Sequence, residues 1–97
     1  MNTRFERLGV VLSSIRARNE RARTWLDKLM LRCLEDSRRD LDKFAHAASV
    51  QALQYDFDIL MLIQGDDLKQ KPLYAEVEKL LIEMESALPP AKGGPLS

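Results

Sequence analysis

The chain has 97 residues, the size of one small domain. Its 45% hydrophobic and 31% charged residues exclude a disordered chain and allow a modest core. Fifteen basic and fifteen acidic side chains cancel, so no overall field points to nucleic acid or a membrane surface, and the lone Cys33 excludes an internal disulfide or a cysteine zinc cluster.

The opening residues carry Arg4, Glu6 and Arg7 and lack the long apolar core of a secretion signal. A reducing, cytoplasmic setting is therefore expected. The strongest apolar run, Ile59–Ile63, is far shorter than the roughly 20 residues that cross a bilayer, and no membrane partner is expected.

Neither glycine nor proline occurs between Gly9 and Gly65. A stretch so free of breakers, rich in Leu, Ala, Arg and Glu, predicts helix rather than sheet. The first helix is predicted over about 3–35. Phe5, Leu8, Leu12, Ile15, Asn19, Ala22, Leu26, Leu29 and Cys33 recur at alternating spacings of three and four, a heptad seam. Val11, Trp25, Met30 and Leu34 widen that face, which suits a hairpin or bundle better than a two-stranded zipper.

Asn19 is the polar member of the seam. On a helix face that meets another helix, such a residue restricts register and oligomeric state. The other reading puts it at the wet edge of the stripe.

A turn is predicted near Glu35–Ser37. Ser37 followed by Asp40 resembles a capping box, and Asp36 and Asp40 suit a helix N-terminus. One continuous helix is the alternative there. The second helix is predicted over about 38–64. Leu41, Phe44, Ala48, Ala52, Tyr55, Ile59 and Leu62 form one stripe, and Val50, Leu53, Phe57 and Leu60 form its neighbour. The small residues of Ala45–Ala48 permit close helix approach.

Gly65 is expected to end that helix, and Pro72 to open a third over about 72–88. Leu73, Val77, Leu80, Leu81, Met84 and Leu88 would share its apolar face. Residues 89–97 read as a flexible tail beyond a single helical domain, 1–88.

No pattern supports an enzyme, a cofactor or a metal site. His46 has no second ligand near it, and Cys33 has no histidine at helical spacing. Asp56 and Asp58 point to different sides of a helix, and no glycine-rich phosphate loop exists. The segment "RARNERAR" is the most suggestive charged feature. Arg16, Arg18, Arg21 and Arg23 could contact phosphates, but no aromatic residue interleaves with them as single-strand stacking prefers. If the chain turns near residue 36, Arg16 and Arg18 come level with Asp56 and Asp58. A nucleic-acid binder using Arg16–Arg23 is the competing reading.

"CLEDSRRDLDKF" followed by "QALQYDFDILMLIQGDDL" resembles the small helical co-chaperones of type III secretion needle subunits, over roughly residues 4–68. The resemblance implies a helical hairpin that pairs with a larger helical-repeat chaperone and keeps a polymerising subunit soluble. The helix from Pro72 to Leu88 has no counterpart in that family.

The expectation is thus an all-α protein, an antiparallel hairpin with a third shorter helix. It would act as a protein–protein interaction module, an adaptor or chaperone-like subunit. Its partner would be a helical protein or a second copy. The expected docking face is Leu12, Ile15, Trp25, Leu26 and Leu29, with Asn19 restricting register.

Overall fold

The computed structural model describes residues 3–86. The expected end of the last helix at Leu88 and the tail at 89–97 lie outside the described residues. The all-α expectation holds, but the described residues form four helices. These are α1 (Thr3–Ser13), α2 (Glu20–Ser37), α3 (Lys43–Gln64) and α4 (Lys71–Ser86).

The helix expected over 3–35 is broken at residues 14–19, and Asn19 explains how. Its backbone is extended, and its side-chain oxygen accepts a hydrogen bond from the Ala22 amide at 2.9 Å. That satisfies one of the amide donors every helix start leaves unpaired. Asn19 is the N-cap of α2. The expectation that it fixes register on a partner-facing seam is corrected.

The chain reverses across residues 14–19. Gly9 of α1 lies beside Cys33 of α2, with a Cβ built on Gly9 3.6 Å from the Cys33 Cβ. The two halves of the heptad seam therefore face each other instead of lying on one line. Phe5, Leu8, Leu12 and Ile15 meet Ala22, Leu26, Leu29 and Cys33 in a single core. Each neighbouring helix runs antiparallel. Lys28 and Asp36 of α2 reach Asp56 and Ser49 of α3. Gln64 at the end of α3 bonds Tyr74 near the start of α4. Gln70, just before α4, bonds Arg16, just after α1, and closes an up-down-up-down bundle.

The second turn also falls later than expected. Ser37 is the last residue of α2, and its hydroxyl donates to the Leu34 carbonyl at 2.8 Å. The cap of α3 is Asp42, which accepts from the Ala45 amide at 2.8 Å. Asp36 is not at a helix N-terminus but buried in the last turn of α2. The Ser49 hydroxyl donates to its carboxylate, and Arg39 lies 3.8 Å away. Those partners offset a negative charge placed at the unfavourable end of the helix dipole.

Gly65 ends α3 as expected, at φ 66° and ψ −156°, a conformation that only glycine adopts without strain. Pro72 occupies the first turn of α4, where its missing amide hydrogen costs nothing. Tyr74, Val77, Leu80, Leu81 and Met84 are buried by α4.

Candidate partner interface

The docking face expected from the sequence is not available. Leu12, Ile15, Leu26 and Leu29 are all buried in the chain's own core. Trp25 is half-buried against that core, and the Lys28 ammonium sits 4.5 Å from its ring centroid. The residues are apolar because the bundle needs them, so a partner cannot reach them without unfolding it.

The structure brings a different face into view. Helix α3 is apolar on two opposite sides. One side carries Val50, Leu53, Phe57 and Leu60 into the core. The other leaves Phe44 81%, Tyr55 66% and Leu62 83% exposed. Ala48, Gln51 and Asp58 are exposed between them. Positions 44, 48, 51, 55, 58 and 62 alternate in steps of four and three, so this is a heptad seam on the outside of the bundle. Phe44 and Tyr55 stand eleven positions apart, about 16 Å along the helix, so the seam presents separate exposed apolar side chains with Ala48, Gln51 and Asp58 between them. The sequence contained this stripe but gave no means of telling it from its buried neighbour.

Two grooves flank other parts of the surface. One separates α3 from α4 and is lined by Gln54, Phe57, Asp58, Glu78, Leu81 and Ile82. Ile82 is exposed there, and Asp58 and Glu78 place two carboxylates beside it. The other lies between α1 and α2, over Phe5, Gly9, Val10, Met30, Cys33 and Leu34.

The arginines are placed differently from expectation. Arg16 and Arg18 do not come level with Asp56 and Asp58, because residues 14–19 carry them to the end of α3. The Arg18 amide donates to the Gln64 side-chain oxygen at 2.7 Å, and its guanidinium reaches the Gln64 carbonyl at 3.3 Å. Gln64 in turn donates to the Arg16 carbonyl at 2.9 Å and to the Tyr74 hydroxyl at 2.8 Å. Gln70 accepts from the Arg16 amide at 2.6 Å and donates to its carbonyl at 3.1 Å. Two glutamine amides thus replace the backbone partners that a broken helix loses. Arg23 pairs with Asp27 at 3.5 Å on its own helix. Asp56 has Lys28 instead, at 4.0 Å.

Cys33 and His46 lie inside the bundle. The Cys33 thiol is pushed up to about 12, chiefly by burial and secondarily by the Asp36 carboxylate, with Arg32 opposing. Such a thiol is a poor nucleophile. His46 is buried with its ring edge-on to Phe5, the centroids 5.9 Å apart. Burial first, then the charge of Arg4, holds its pKa below the ordinary value. Among the described residues no three His, Cys, Asp or Glu side chains converge as metal ligands. No described helix is long and apolar enough to cross a membrane.

No family model, curated protein or solved structure matches this chain. The geometry of the surface therefore carries the functional argument.

Proposed function

We propose that this protein is a small helical interaction module that docks a partner helix on the outer face of α3. The observation that carries the reading is the exposure of Phe44, Tyr55 and Leu62 on a heptad-spaced seam. Helix-face docking uses anchors at this spacing, and aromatic anchors contribute most to such contacts. The resemblance of residues 4–68 to type III secretion co-chaperones supports the more specific form, a chaperone-like subunit that shields an aggregation-prone helix.

Affinity capture from the native host tests the reading, with Leu62→Asp and Tyr55→Asp as comparisons. Both positions are exposed, so both variants should melt like the wild type. Each should recover at least about tenfold less partner, since a buried anchor is worth more than about 1.4 kcal/mol. Equal recovery by wild type and variants overturns the α3 face. If the arginines were the site instead, binding would fall steeply between low and moderate salt, and an apolar helix face would not.

A further inference from the structure

Lys28 of α2 bridges two groups where α2 meets α3. Its ammonium lies 4.5 Å from the Trp25 ring centroid and 4.0 Å from Asp56 Oδ1. Asp56 is 4% exposed, and no hydrogen bond among the described residues reaches its buried Oδ2. A carboxylate is rarely taken out of water without donors. Lys28 does not supply one, because 4.0 Å is beyond hydrogen-bond distance. Arg32, one turn further along α2, does not either. It makes no ion pair among the described residues, and its own buried Nε lacks a partner.

An aromatic face and a carboxylate around one cation are the elements from which cation-binding sites are built. Here the cation belongs to the chain itself, and it is held loosely. The Lys28 side chain is half-exposed and its ion pair is long, so an ammonium that leaves regains water at little cost. Trp25 differs in this from Leu26 and Leu29 beside it. The ring face under Lys28 is covered only by a side chain that already stands half in solvent.

We propose that Trp25 and Asp56 form a receptor site for an arginine side chain of a partner protein, with Lys28 as a built-in stand-in that the guanidinium displaces. Geometry favours the guanidinium. It is flat and can lie on the Trp25 ring, and its fork carries two parallel donors for two carboxylate oxygens. An ammonium in the position of Lys28 serves Oδ1 and leaves Oδ2 alone. The torsion that turns a carboxylate about its stem is soft, so Asp56 can present both oxygens to a fork arriving where Lys28 now sits. Arg32 beside the site disfavours a second positive charge, which selects an arginine flanked by neutral or acidic residues. The site uses none of Phe44, Tyr55 and Leu62. It therefore stands apart from the outer α3 face, and arginine binding that depends on Asp56 and partner capture that depends on Leu62 fail separately.

Trp25 is the only tryptophan, so its fluorescence reports on the site directly. Titrating the full chain with the tripeptide acetyl-Gly-Arg-Gly-amide should change the emission saturably, with a dissociation constant in the millimolar range expected of one cation–aromatic contact and one ion pair. Lys28→Ala removes the stand-in and should bind the peptide about threefold tighter or better. A gain of this kind cannot come from a damaged fold. Adding Asp56→Asn to Lys28→Ala keeps the shape of the side chain and should abolish binding, with a circular dichroism melt to show that the double variant is folded. The matching lysine tripeptide should bind about fivefold more weakly than the arginine one. Should the double variant not fold, the gain in Lys28→Ala and the preference for arginine decide. The site is overturned if Lys28→Ala shows no saturable change, or if it binds no more tightly than the wild type, as it would were Arg32 to turn onto Asp56 instead. A response that survives Asp56→Asn, or a lysine peptide that binds as well as the arginine one, overturns it too.

Discussion

At the scale of single residues, several polar side chains set the shape of this protein. Asn19 is the clearest case. Its side chain holds the first turn of α2 through the Ala22 amide. Replacing it by alanine should lower stability by about 1 kcal/mol, and Asn19→Ser should recover most of the loss. Urea denaturation of the three proteins measures this. His46 gives a second expectation, in pH. Its folded pKa lies below the ordinary 6.5, so the unfolded chain takes up a proton first. The stability linked to it is complete above that ordinary value and is lost as pH falls through the folded value. The urea midpoint should therefore drop between about pH 7.5 and about pH 5.5, and His46→Gln should flatten the drop. Asn19 was visible in the sequence as an exception on an apolar line. Its role as a cap was not, because the spacing of apolar residues continues across the break from Ile15 to Ala22.

At the scale of elements, the two described glycines show how local geometry decides the effect of the same change. Gly9 sits inside α1, and a Cβ there would meet Cys33 at an ordinary 3.6 Å. Gly9→Ala should stabilise the protein by about 0.5–1 kcal/mol, by restricting the unfolded chain and favouring helix. Gly65 ends α3 with positive φ, and its Cβ would lie 3.1 Å from an Arg18 guanidinium nitrogen. Gly65→Ala should destabilise by about 1–3 kcal/mol. Thermal melts of the two variants should move in opposite directions. The end of α3 at Gly65 and the start of α4 near Pro72 were legible because glycine and proline act through their own backbone restrictions. The break at 14–19 contains neither. Its backbone groups are satisfied by Gln64 and Gln70, which lie far along the chain, and a window of neighbouring residues holds no trace of such a contact.

At the scale of the whole molecule, the bundle separates two kinds of leucine that look alike in the sequence. Leu26 is buried between helices and Leu62 stands in solvent. Leu26→Ala should cost about 2–5 kcal/mol, the loss of a core side chain with the cavity it leaves. Leu62→Ala should stay within about 0.5 kcal/mol for the dilute chain, as surface changes do. Denaturation midpoints at low protein concentration separate the two, and similar losses at both sites would show that Leu62 is covered within the protomer.

The sequence by itself determined that the protein is helical, because long runs without glycine or proline at apolar spacings of three and four have no other good use. It also determined most of the core, since Phe5, Leu12, Leu26, Leu53 and Leu80 lie on stripes that had to be buried somewhere. Only the tertiary structure decided which stripe faces inward on α3 and where the first helix turns back. Periodicity fixes that residues share a side of a helix. It does not fix which side meets the core when two sides are apolar, because that depends on the position of the other three helices.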